Sequence, residues 1–499
     1  QRQMCIRDSN IKATRDAFGI ADVKEETYKA TTEATAGQLR SDSESTASIR
    51  LLDPSVVSRT FGQMEQNRQY YRFASNLAVD RYVIDGKAQD TVIAVRELDT
   101  NQLGDSQKSW VNQHTVFTHG FGVVTAYGSK VEGDGSPAFW EKGIPSQGEL
   151  GEYEPRIYFG QFSPDYSIVG APKGAPKREF DYPSDVTQDK GVNNTFTGKG
   201  GPSVGNLWER LMYALKFRSS EIFFSQQVNS SSQILFYRSP EQRVAKVAPY
   251  LTLDSRAYPA VVDMDGDPKT PKRVVWIVDG YTTSNSYPYS NHMDLNASIS
   301  DSRNIGSGYQ VMNSVNYMRN SVKAVVDAYD GSVHLYQWDA KDPIVNAWGK
   351  VFPGQIEPLS SVSGDLMAHF KYPEDLFKVQ RNLIARYHTT DPRSFYSGSD
   401  FWKLPDDPPH EGSQTVLSAL QPPYYLTMKA PGQESTEFSL YSTYIPYGQS
   451  DRNVLTGYLT VDSETGSEPG KVRDGYGKLR LLSLPSDLAV PGPGQVSNK

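Results

Sequence analysis

The stretch that most constrains the fold is NYMRNSVKAVVDAYDGSVHLYQWD, Asn316–Asp339. Asp330-Gly331 divides two runs of alternating residues. Asp-Gly in that setting is the strongest short-range hairpin signal, because the favoured turn needs positive φ at both central positions. With these two residues as the whole loop, the pairing follows by counting outward. Ala328 then faces Val333, Val326 faces Leu335 and Ala324 faces Gln337, an apolar face suited to a core. The opposite face sets Asp327 against His334, Val325 against Tyr336 and Lys323 against Trp338, a half-wet surface. Asp327 beside His334 has the makings of part of an active site. A cross-strand ion pair, contributing about 0.2–1 kcal/mol, accounts for it more simply.

A chain of 499 residues with 37% hydrophobic and 11% aromatic content can build real cores, divided by length among two to four domains. No window approaches the roughly 18 consecutive apolar residues that a membrane span requires. Lysines and arginines are scattered and the net charge is -7, which argues against a nucleic-acid surface. The single cysteine, Cys5, lies in Met4-Cys5-Ile6-Arg7-Asp8, a string resembling the translated tail of a transposase sequencing adapter. Residues 1–9 are therefore set aside, and with them any disulfide, Cys-metal site or Cys nucleophile.

Along the chain, residues 10–50 read as an ordered entry segment followed by a flexible linker, Thr31–Ser48. The main unit spans 51–403. It begins with helical character carrying Phe61, Met64 and Tyr71, then a second hairpin, Tyr82–Glu97, with Asp85-Gly86 at its turn. Trp110–Tyr127 is a Gly-interrupted apolar strand region around Thr118-His119-Gly120, where glycines signal close backbone approach. Asn206–Phe217 is a helix with capping-box spacing at Asn206 and Glu209, and Leu207, Leu211, Ala214 and Leu215 as its buried stripe. Ser239-Pro240-Glu241-Gln242 announces another helix. Tyr258–Asp263 and Arg273–Thr282 pair as strands, and Ser284–Met312 is a long polar loop. Helices dominate Pro343–Trp402, most clearly Pro373–His388. A Pro-rich linker at 404–423 precedes a partial β-rich unit, 424–499, with no helix of its own to cover the sheet. The fold class is α+β: mixed and antiparallel sheets with packed helices, plus that partial C-terminal unit.

Motifs with chemical meaning are few. Gly201-Pro202-Ser203-Val204-Gly205 matches G-x-S-x-G, but a nucleophile elbow needs an apolar strand before Ser203, and here NNTFTGKGG precedes it. Asp263, Asp265 and Asp267 in D-M-D-G-D could take calcium, although the glycine is fourth where a calcium loop wants it sixth. His119 is the histidine with the most suggestive setting. A hydrolase would use His119 or the carboxylates at Glu179 and Asp181, and the sequence nominates no acid–base pair among them. Otherwise no cofactor is expected.

The succession IKATRDAFGI, YRFASNLAVDRYVIDG, THGFGVV, EPRIYFG, SPEQRVAKVAPYL, VVWIVDGYT, NYMRNSVKAVVDAYDG and HFKYPEDLFKVQ resembles the UPF0182 family, in order and spacing from about Asn10 to Trp402. After Trp402 the resemblance is looser. It implies a bacterial multi-pass membrane protein whose transmembrane helices precede IKATRDAFGI, with this region on the extracytoplasmic side of the cell membrane. Those helices would be its partner, together with envelope lipid or glycan. It implies no catalytic residue. The expected role is a non-enzymatic cell-envelope component in transport or assembly. An envelope glycan or lipid hydrolase, or a glycan- or lipid-binding module, are the alternatives.

Overall fold

The computed structural model describes residues 2–28, 52–186, 190–304, 308–407, 419–430, 433–448, 454–485 and 490–491. The linker expected at Thr31–Ser48 and the 408–418 part of the Pro-rich segment lie outside them. Helices and mixed or antiparallel sheets combine in an α+β fold. No helix among the described residues is long and apolar enough to cross a membrane.

Two long strands, Lys272–Ser284 and Tyr317–Asp327, make the spine. They run antiparallel from Val275↔Asp327 to Ser284↔Tyr317, with a bulge at Gly280/Tyr281. Tyr258–Val262 takes the free edge of the first and Val333–Gln337 that of the second. Three short strands complete a seven-stranded sheet. Side chains alternate between its faces. Val274, Trp276, Val278, Ala324 and Val326 meet Ile93, Val95, Val123 and Trp140 of a five-stranded antiparallel sheet. Val275, Ile277, Val325 and Tyr336 lie under Leu366, Met367 and Phe370, in and beside helix Gly364–His369.

Both faces of the central hairpin are therefore covered, where the sequence suggested one wet side. Lys323 is wholly buried and donates to Asp279 Oδ1 across the sheet at 2.6 Å. The register also differs from the expected one. Val326 pairs with Val333 and Ala324 with Leu335, so the loop is Ala328–Gly331 rather than Asp330-Gly331 alone. The reason is that Ala328 is claimed elsewhere. Its N–H donates to Val274 O at 2.9 Å, and its carbonyl accepts from Tyr158 and Phe159 N–H at 2.8 and 2.9 Å. Asp327 accepts from Tyr329 N–H at 2.7 Å and pairs bidentately with Arg273 at 2.7 and 3.0 Å, not with His334. His334 meets Glu357 instead, at 2.9 Å. Because the shift is an even number of residues, each side chain keeps its face.

The C-terminal sheet joins Glu25–Thr27, Trp402–Lys403, Tyr424–Met428, Glu437–Pro446, Gly457–Asp462 and Leu479–Ser483. Its cover is helix Glu374–Tyr387, supplied by the main body. Leu376, Phe377, Leu383 and Ile384 share one core with Leu440, Tyr444, Leu459, Val461 and Leu481. Helix Arg2–Ala17 adds Ile11 and Ala17 to the same core and the turn after it adds Phe18; burial along the helix begins at Ile11.

Helix Leu207–Phe217 contradicts its expected packing. The capping box forms as read, with Asn206 and Glu209 exchanging hydrogen bonds, yet no residue of the helix is buried. Leu207, Leu211 and Leu215 face outward. The inward side is aromatic: Phe217 lies 4.5 Å from the Tyr166 ring and Tyr213 5.9 Å from Phe236. Two rings one turn apart bury more area than the leucines could, and they set the helix's rotation. Met64 and Tyr71 also depart from expectation. Met64 is exposed on helix Pro54–Glu65, and Tyr71 is a buried residue of a separate short strand.

Candidate functional site

Three of the residues singled out from sequence come together. Gly120 and Gly122 flank the approach: a Cβ on Gly120 would lie 2.2 Å from Arg96 O, so the chain beside His119 runs hard against its neighbour. Alternation along strand Glu179–Pro183 buries Glu179 and Asp181 together. His119 Nε2 donates to Asp181 Oδ1 at 3.0 Å, and its Nδ1 lies 2.9 Å from Thr118 Oγ1. Arg156 grips both oxygens of Asp181 at 2.8 and 3.0 Å. Burial alone would push the Asp181 carboxyl up, but the bonds from His119 and Arg156 outweigh it and hold it below its usual value. Glu179 accepts from Tyr158 Oη at 2.9 Å and from Phe196 and Gly170 N–H at 3.0 and 3.1 Å. Burial, then the Glu179 charge, push the Tyr158 phenol far up. The His119 side chain has no exposed surface. This network is saturated and interior, and it ties short strands together.

The other nominated residues stand apart. Ser203 is exposed, and its hydroxyl donates to Glu209 Oε2 at 2.9 Å, extending the capping box. Asp263, Asp265 and Asp267 turn onto their own loop, accepting from Gly266 N–H at 2.8 Å, Thr270 Oγ1 at 3.0 Å and Lys269 N–H at 3.0 Å. Among the described residues no group of three or more metal-capable side chains converges, there or elsewhere.

A denser set of charges surrounds helix Glu374–Tyr387. Lys378 Nζ lies 2.7 Å from Asp301, 3.5 Å from Glu374 and 4.0 Å from Asp375. Asp375 accepts from Ser255 N–H and Oγ at 2.8 and 2.9 Å. Asp254 accepts from Tyr281 Oη at 2.6 Å and from Asp375 N–H at 3.1 Å. Burial pushes the Asp375 carboxyl up to about 6, against the pull of Lys378. Burial, then the Asp375 and Asp279 charges, push the Asp254 carboxyl well above the usual carboxylate range. Lys371 goes the other way, lowered by burial to about 8; its Nζ donates to Val79 O at 2.6 Å and sits 4.1 Å from the Tyr258 ring. A cavity of about 50 Å³ is bounded by Lys371, Glu374, Asp254 and Asn76. The side-chain amide of Asn76 has no partner among the described residues. That space suits a water or two. One local signal for this set was legible, the Glu374–Lys378 spacing of EDLFK; Asp254, Ser255 and Asp301 come from distant segments.

The same helix forms the wall of a much larger groove, about 860 Å³, within the roughly 300–1,000 Å³ of small-ligand sites. Leu383, Ala385 and Tyr387 line it together with Phe395, Phe401, Trp402, Leu404, Ile445 and Asn10. Short helix Leu295–Ile299, inside the stretch read as a polar loop, contributes Ala297 and Ser298. Polar groups share the lining: Asn291, Asp294, Asn382, Lys403, Asp406 and Arg386, whose guanidinium lies 5.8 Å from the Phe401 ring and 5.9 Å from Tyr447. Trp402 is held by stacking on His388 at 3.9 Å. A second hollow of about 620 Å³ shares Phe401 and Trp402 with the first. A lining that mixes aromatic and aliphatic side chains with charged and amide groups suits a ligand that is itself amphipathic.

No solved structure matches the chain. Among proteins of known sequence it is 56% identical to a UPF0182 protein of Bifidobacterium longum, covering 98% of this chain and 45% of that protein. A Clavibacter michiganensis relative is 54% identical, over 98% of this chain and 49% of its own length. One from Tropheryma whipplei is 51% identical, over 98% and 51%. The chain thus spans about half the length of the curated relatives it matches. The model of the uncharacterised protein family UPF0182 matches residues 6–499. Matched over nearly its whole length, the chain belongs to the UPF0182 family.

Proposed function

We propose that this chain is the extracytoplasmic part of a multi-pass membrane protein of the cell envelope, a non-enzymatic component that binds an amphiphile during transport or envelope assembly. The observation that carries this reading is the groove of about 860 Å³, lined by apolar and charged side chains together. A cavity of that volume accommodates one or two alkyl or prenyl chains, and Arg386 and Lys403 in its lining supply cations for a polar or anionic head. The topological half of the reading draws on the family resemblance, in which membrane helices precede this region. The relatives' additional length leaves room for them.

Titration with a fluorescent long-chain amphiphile tests the groove. Saturable binding at one site per chain is expected, lost in Ala297→Trp, which fills the groove from an exposed helix position. Absence of saturable binding, or binding unchanged by Ala297→Trp, overturns the ligand assignment. Reporter fusions in the full-length parent gene at the positions of Asn10 and Trp402 test the topology; a cytoplasmic signal at either would sink it.

A further inference from the structure

Helix Leu207–Phe217 carries a surface that the groove reading does not use. Leu207, Trp208, Leu211, Met212 and Leu215 fall on one contiguous arc at helical spacing, and all are exposed, Leu207, Trp208 and Leu215 to 67, 69 and 68%. Phe224, in the next short helix, is 77% exposed. An exposed apolar patch of this kind marks an interaction site. The helix is also firmly built: the capping box fixes its start and the Tyr213 and Phe217 rings fix its rotation, so the stripe is presented rather than frayed.

We propose that this stripe docks on the surface of a lipid bilayer, lying in the plane of the headgroup–acyl boundary. Size decides against a protein partner. Three turns of helix offer an apolar patch of a few hundred Å², well under the roughly 800 Å² per partner of a stable protein interface. Interfacial helices need no more than such a stripe, with Trp at headgroup depth and cations beside it. Charge agrees. In a chain of net charge -7, the segment 207–224 holds Arg210, Lys216 and Arg218 against Glu209 and Glu221. Glu209 is tied into the capping box, while Lys216 and Arg218 are exposed at the helix's C-terminal end. Anionic lipid is therefore the preferred surface. The proposal is independent of what the groove binds.

Flotation with vesicles of phosphatidylcholine, alone or with phosphatidylglycerol, reads the proposal directly. The chain is expected to float with the mixed vesicles, at least tenfold more than with phosphatidylcholine alone at low salt. Leu211→Glu with Leu215→Glu, both at exposed positions, should abolish flotation without altering the circular dichroism spectrum. Lys216→Glu should remove the anionic preference. Brominated lipid should quench a component of tryptophan emission that Trp208→Phe lacks. No flotation with either vesicle, or flotation unchanged in the double variant, overturns the proposal. So does a concentration-dependent dimer, seen by light scattering, that the double variant dissolves while vesicles bind neither form; the stripe would then meet a second copy. Ala297→Trp should float as the wild type does, so failure of the groove assignment and failure of this one are separable.

Discussion

Helices Leu207–Phe217 and Glu374–Tyr387 invert the usual relation between composition and burial. The first carries an exposed leucine and tryptophan stripe and only half-buries its inward rings. The second is rich in ionic and amide groups, and Asp375, Lys378, Gln380 and Arg381 are all buried along with its apolar residues. Helical period says only that an element is a helix. Whether a face goes inward depends on what waits for it. Aromatic rings at Tyr166 and Phe236 waited for Tyr213 and Phe217, whereas Asp301, Ser255 and Gln421 O waited for the polar side chains of the second helix. Buried polar groups survive there because nearly each has its partner.

The strongest way to break this contrast is at Lys378. Lys378→Met leaves Asp301, Glu374 and Asp375 without their shared cation, and should cost about 3–5 kcal/mol of unfolding free energy in a urea titration. A midpoint unchanged from the wild type would mean that the charges are not coupled as the distances imply. Next is pH. The Asp375 carboxyl rises from 3.8 to about 6 on folding, mainly through burial. The folded state holds that proton more tightly, so stability should fall as pH rises from about 4 to 6. Asp375→Asn should flatten that stretch of the profile. Glu209 on the outer helix has the opposite sign: the Ser203 hydroxyl and the Asn206 N–H hold its carboxyl below the usual value. Its contribution is present above the unfolded value and disappears as pH falls, and Glu209→Gln should remove it. Smaller again, Asn206→Ala removes the cap and should cost about 0.5–2 kcal/mol, read as faster amide exchange within 207–217. Leu215→Gln should change stability by no more than about 0.5 kcal/mol, while the equivalent change at the buried Leu383 should cost several times that.

Two Asp-Gly turns show what local sequence can and cannot specify. Asp85-Gly86 forms the two-residue loop that its spacing predicts, with φ of 51° and 75° and Ile84 opposite Lys87. Its tip touches little, so the turn chemistry alone decides. Asp330-Gly331 has the same chemistry, but Arg273 and the Tyr158–Phe159 backbone compete for Asp327 and Ala328, and the loop widens. Elements were legible wherever local signals agreed: the capping box at Asn206, Ser239-Pro240 opening helix Pro240–Val247, and the strands near 437–446 and 457–462. The groove was not legible, because Asn10, Ala297, Leu383, Trp402 and Ile445 meet only after the chain has crossed itself several times. Each alone is an ordinary surface or core residue. The pairing of His119 with Asp181 was half visible, since both were singled out but nothing in the sequence joined them.

The strand Glu25–Thr27 pairs in parallel with Leu481–Ser483, and this sets an order in time. At about 5–20 residues per second, a ribosome delivers Glu25 roughly 20–90 s before Leu481 exists. Phe18 and Ile20 wait nearly as long for Leu376 and Ile384, with which they share a core. Until then the segment exposes apolar side chains and an open backbone edge, the state in which a nascent chain is most open to wrong pairing or capture by a chaperone. Made before the other strands of its sheet, this segment is among the last to be seated, and its docking marks the completion of the sheet it closes.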